Sequence, residues 1–160
     1  MAMSDNTEHN TLAELVRRIA QFMNLDCHVE IHEEVHGSEK ILCAAIYTPS
    51  DARFLIGKNG QNLKAFEQVV RLLYARTQSI PNSMVTVDVN DYRKSRTLHV
   101  VELARQAVSR VRNTQKPEAL LPMSSYERRV VHMELAVYPD IATESIGDDP
   151  NRRVVIKPFP

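Results

Sequence analysis

Residues Leu55 to Leu63 read LIGKNGQNL, and two of the chain's four glycines stand in that stretch, framing Lys58 and Asn59. An Asn-Gly pair between apolar residues is a strong hairpin signal. The segment is therefore either a tight turn between strands or a loop shaped to hold something. The periodicity of its flanks decides.

Downstream, QNLKAFEQVVRLLYART places Leu63, Phe66, Val69, Val70 and Leu73 on one face of a helix. Upstream, Ser50 can cap a short helix over DARFLI. The loop joins two helices, so the hairpin reading fails. Glycines at both of its ends let a backbone approach a ligand closely, and the helix starting near Gln61 opens with unpaired N–H groups and the positive end of its dipole. Lys58 adds a cation, which makes phosphate the natural guest. The bland alternative is a helix–helix corner that merely needs glycine. A Walker A loop is excluded, because Asn59 follows the lysine where Ser or Thr is required and no glycine stands five residues before the Gly-Lys pair.

Further out, TLAELVRRIAQFMN carries Leu12, Leu15, Ile19 and Met23 at helical spacing with Thr11 as N-cap, which leaves residues 1–10 as a disordered tail. CHVEIHEEVH alternates as a half-buried strand, Gly37-Ser38 punctuates it, and KILCAAIYT follows as its hairpin partner. SMVTVDV is a third strand. The order is α-β-β-α-loop-α-β. His32-Glu33-Glu34-Val35-His36 matches the zinc-protease pattern H-E-x-x-H, which requires a helix. On a strand, at about 3.3 Å per residue, the two histidines stand roughly 13 Å apart and cannot share a metal.

Past Asn90, a long helix carries Leu98, Val101, Ala104, Val108 and Val111 as one stripe, with Arg93, Arg96, Arg105 and Arg112 off it as a solvated face. EALL offers a short strand. In PMSSYERRVVHMELAVYPD, Ser124 and Glu127 form a capping box, which sets Arg128 and His132 at i and i+4 on the helix just begun. ATESIG and RRVVIKP then read as a hairpin, with Val154 and Ile156 on one face and Arg153 and Lys157 on the other.

Lys plus Arg balances Asp plus Glu over the 160 residues, but unevenly. Residues 1–90 hold 8 basic and 11 acidic side chains, net −3, and residues 91–160 hold 12 and 9, net +3. The basic half hints at an anionic partner. Cys27 and Cys43 fit a reducing compartment and packing roles, with no base assignable to either. No apolar run approaches the roughly 20 residues that span a bilayer.

The GxxG loop set in α-β-β-α-α-β resembles a KH domain of type II topology, in which such a loop clamps about four single-stranded nucleotides. The Arg-x-x-x-His spacing followed by TESIGDDPNRRVVIKP resembles the single-strand-binding module named for it, the R-three-H domain. With DYRKSRTL between them, these stretches make residues 11–158 similar to the bacterial Jag (KhpB) family. The resemblance implies an α+β chain: a type II KH domain (αββααβ) over 11–90, then a small α/β R-three-H domain over 91–160. Many members carry an additional N-terminal domain and linker that residues 1–160 do not match.

The resemblance further implies a non-catalytic RNA-binding protein of the cytoplasm, a post-transcriptional regulator or RNA chaperone linked to cell elongation and division. The alternative is an adaptor in envelope or ribonucleoprotein assembly, with RNA secondary. Gly57 and Gly60 would provide backbone access, Lys58, Asn59 and the Gln61 helix would meet phosphate, and Ile56 would line a groove for bases. In the second module Arg128 would contact phosphate and His132 would stack or donate, supported by Arg129, Arg153 and Lys157. For His132 the alternative is a histidine hydrogen-bonded at the edge of the core. The expected partner is single-stranded RNA, with single-stranded DNA and a second KH protein as further candidates, and with no cofactor or metal. Each module should bind weakly and tethering should strengthen both.

Overall fold

A computed structural model describes residues 2–36, 39–77 and 84–159, so the turn expected at Gly37-Ser38 lies outside the described residues. The chain divides into two compact units, Met1–Arg93 and Lys94–Pro160.

The first unit opens with α1 (Ala2–Phe22), so the stretch expected as a disordered tail is helical from Ala2 and Thr11 lies inside the helix. There the Thr11 hydroxyl donates to the Thr7 carbonyl instead of capping. Leu12, Val16 and Ala20 are buried, whereas Met23 falls past the helix end and is exposed. β1 (His28–His36) and β2 (Glu39–Tyr47) pair antiparallel, and β2 pairs parallel with β3 (Met84–Val89), in the order β1-β2-β3. The parallel pair forces a crossover, which consists of α2 (Ala52–Ile56), one 3-10 turn (Lys58–Gly60) and α3 (Gln61–Thr77). Asp51, not Ser50, is the N-cap of α2, and it makes no side-chain cap bond. Leu12, Val16, Leu55, Leu63, Phe66, Val70 and Tyr74 close one core over Val29, Leu42, Ala44, Ile46, Val85, Val87 and Val89.

The buried face of α3 is rotated from the one the sequence suggested. Leu63, Phe66, Glu67, Val70 and Tyr74 face inward, while Val69 and Leu73 are exposed. Tyr74 sets the stripe, because it continues the spacing of Leu63, Phe66 and Val70 and is itself fully buried. Glu67 is carried inward with them and serves the outer edge of β3. Its carboxylate accepts the Val87 amide at 3.0 Å and pairs with Arg71 and Arg93. Arg93 donates to the Val87 carbonyl, Arg71 to the Val85 carbonyl, and Asp88 takes the Val89 amide. Side chains thus occupy the edge groups that another strand would use. Arg93, expected as part of a solvated face, is a structural residue.

The second unit contains most of α4 (Tyr92–Thr114), then β4 (Glu118–Ala119), α5 (Ser125–Leu135), β5 (Ile141–Ile146) and β6 (Arg153–Pro158). Its strands pair antiparallel in the order β4-β6-β5. Val100, Ala104, Ala107, Val108 and Val111 of α4 pack with Met123, Val131, Leu135, Val154 and Ile156. Leu98, placed on that stripe from the sequence, is exposed, and Val100 takes the inward position. The capping box at Ser124 and Glu127 is present in both directions.

Candidate nucleic-acid interface

The loop between α2 and α3 is built from left-handed residues. Gly57 (φ 67°), Asn59 (φ 53°) and Gly60 (φ 77°) all have positive φ, and Asn is among the few non-glycine residues that accept it. α2 ends as the Gly57 amide donates to the Arg53 carbonyl at 3.0 Å, and Gly60 donates to Gly57 at 3.4 Å. Lys58 and Asn59 are exposed at the tip. Their N–H groups open the 3-10 turn and so have no acceptor within it. The Gln61 amide, expected to be available, donates to the Lys58 carbonyl. Ile56 is half-buried and packs against the first core. Phe54, one helical turn before Gly57, is 61% exposed and supplies an aromatic surface that its position in the sequence did not single out.

The glycines face the protein rather than a ligand. A Cβ at Gly57 would stand 2.5 Å from Cγ of Asn62, and one at Gly60 would stand 3.1 Å from the Tyr92 ring. Asn62 Nδ2 in turn donates to the Phe54 carbonyl at 2.8 Å, which ties the first turn of α3 to α2. Backbone access, the role expected of the glycines, is thus joined by a packing role. No sequence pattern flags a bond between Asn62 and the main chain eight residues earlier.

In the second unit, the Arg-x-x-x-His pair points inward. Arg128 is 7% exposed, donates to the Met123 carbonyl at 2.9 Å and pairs with Asp149 at 3.3 Å. It fastens the start of α5 to the β5–β6 turn and does not present its guanidinium to solvent. His132 bridges α5 to β5, with Nδ1 2.7 Å from Thr143 Oγ1 and Nε2 2.8 Å from Ser145 Oγ. Burial, aided by the Arg128 charge, holds its pKa below the ordinary value, so the ring is neutral at pH 7. This is the edge-of-core histidine.

Most of the unit's basic side chains are likewise committed. Arg96, Arg105, Arg110, Arg112 and Lys157 pair with Glu127, Glu134, Glu118, Asp140 and Glu144. Arg96, like Arg93, is therefore not part of a free solvated face. Arg153 Nε donates to the Asn151 carbonyl at 3.2 Å. Arg129 is exposed, on the same outward side of α5 as Tyr126 (64% exposed) and Met133 (66% exposed).

Catalytic chemistry finds no foothold. H-E-x-x-H lies within β1, where His32 pairs in register with Cys43 and His36 with Glu39. Burial pushes both cysteine thiols above their ordinary pKa, away from the nucleophilic form. Among the described residues no helix is long and apolar enough to cross a membrane.

The R-three-H domain family matches residues 98–158, the span of the second unit's elements. Over 155 residues the chain is 30% identical to the RNA-binding protein KhpB of Clostridium symbiosum, covering 97% of this chain and 68% of that protein. The chain belongs to the KhpB family. KhpB of Bacillus subtilis is 38% identical over 111 residues, and KhpB of Lactiplantibacillus plantarum is 36% identical over 102. Against those two KhpB proteins the chain spans 53% and 31% of their length.

Proposed function

We propose that the chain is a non-catalytic protein that binds single-stranded RNA along its sugar-phosphate backbone, with the Lys58-Asn59 loop as the grip. The first unit then acts as a type II KH domain. Its αββααβ order, with the loop inside the β2-to-β3 crossover, supports that assignment. The observation that carries the reading is the loop itself: a cationic tip exposed on a left-handed backbone and braced from behind. Phosphate oxygens would accept from the Lys58 ammonium, the Asn59 amide and the main-chain N–H groups at the start of the turn.

In the second unit, Arg129 and Tyr126 are the side chains left to meet a strand, and Arg128 and His132 serve by holding α5 to the hairpin. This division predicts a smaller contribution from the second unit than its formal charge suggests. The names of its relatives extend RNA binding to this chain. The family resemblance extends it to cytoplasmic post-transcriptional regulation or RNA chaperoning tied to cell elongation and division.

Fluorescence titration of labelled single-stranded RNA tests the grip. Lys58→Asp with Asn59→Asp should weaken binding at least tenfold on an intact fold, since one attractive charge becomes two repulsive ones. Unchanged affinity removes the loop from the function. Parallel titrations with duplex RNA and single-stranded DNA separate strandedness from sugar recognition.

A further inference from the structure

We infer that Asn62 and Tyr92 are positioning residues that hold the Gly57–Gly60 loop in its binding geometry, an inference that rests on the reading of that loop as the RNA grip. Neither side chain needs to touch RNA. Their role follows from what lies behind the loop.

A loop that supplies N–H groups to a phosphate works best when the groups already point at the ligand, because ordering a mobile backbone on binding costs affinity. Short helices end with unsatisfied carbonyls, and α2 is only five residues long. Asn62 resolves both problems with one bond. Its Nδ2 takes the Phe54 carbonyl near the end of α2, and its amide carbon occupies the space where a side chain at Gly57 would begin. The brace and the glycine require each other: any Cβ at Gly57 would push Asn62 off Phe54.

Tyr92 closes the other end. Its ring packs against the first core and lies under Gly60, leaving 3.1 Å for a Cβ at that position. The loop is thus held at Gly57 by a side chain of α3 and at Gly60 by the first residue of α4, with Lys58 and Asn59 free to project between the two supports. The Asn59 conformation (φ 53°) is fixed by these neighbours and needs no ligand.

The full chain is titrated with labelled single-stranded RNA over a range of salt concentrations, as wild type, Asn62→Ala, Tyr92→Ala, Tyr92→Phe, Lys58→Ala and the Lys58→Asp, Asn59→Asp double variant. Circular dichroism establishes that each is folded at the titration temperature. Asn62→Ala and Tyr92→Ala should each weaken binding roughly tenfold, the scale on which lost preorganisation acts. Tyr92→Phe, which keeps the ring beneath Gly60, should bind within about twofold of wild type. The salt slope of the positioning variants should equal that of the wild type, while Lys58→Ala should lower its magnitude by about 0.7.

Wild-type affinity in folded Asn62→Ala, alongside a large loss in the double variant, overturns the positioning role and leaves the grip standing. Wild-type affinity in the double variant as well overturns the grip and this inference with it. Should Tyr92→Ala not fold, Asn62→Ala and Tyr92→Phe still decide the matter.

Discussion

Arg96 of α4 reaches Glu127 of α5 at 2.6 Å, while the second oxygen of the same carboxylate accepts the Ser124 amide at 2.6 Å. One nearly buried Glu thus completes a helix cap and ties two helices together. Burial pushes its carboxyl upward, but the bonds from Arg96 and Ser124 outweigh that and hold the pKa below the ordinary value. Because the folded-state value lies below the unfolded one, the associated stability is present above the unfolded value, near 4.3, and is lost as pH falls through the folded value.

Glu127→Ala should therefore destabilise the second unit by about 3 kcal/mol, combining a lost cap with an uncompensated Arg96. Glu127→Gln, which keeps an acceptor, should cost less. Hydrogen exchange of the α5 amides in the full chain measures both.

His132 makes a second, separable acid response. Its folded pKa is lowered, so the fold gains from the neutral ring above the unfolded value of about 6.5 and loses that gain as pH falls below it. The thermal midpoint of the second unit should drop between pH 7.5 and pH 5.5. His132→Gln should lower the midpoint at pH 7.5 and flatten its change over that interval. An equally steep change in the variant would assign the response to another group.

Much of this architecture was legible in the sequence, because strand and helix periods differ and the capping box and turn residues mark where one gives way to the other. Strands, loop and hairpin emerged from those signals. The orientation of charged residues did not. Arg128 lies at the same helical spacing as Val131 and Leu135, so the pattern that marks a core face includes it, yet a positive charge reads as solvent-facing until a partner such as Asp149 is seen. Glu67 is the same case on α3, with its partners supplied by β3 and Arg93. Val69, Leu73 and Leu98 were misplaced for the opposite reason: apolar character alone does not choose between adjacent helical faces.

The Glu67 network makes its own prediction. Glu67→Ala leaves the Val87 amide without its acceptor and Arg71 and Arg93 without their shared carboxylate, so the first unit should lose about 3 kcal/mol. Exchange of the Val87 amide should accelerate more in Glu67→Ala than in Glu67→Gln, which retains an acceptor. Equal rates in the two variants would show that the carboxylate does not guard this edge.

Mapping contacts by NMR tests the central claim most directly. Single-stranded RNA is titrated into the isotopically labelled full chain while the backbone amides are followed. The amides of residues 57–62 should shift first and furthest, with Lys58 and Asn59 leading. Shifts confined to other surfaces, with 57–62 unmoved at saturation, would contradict the account.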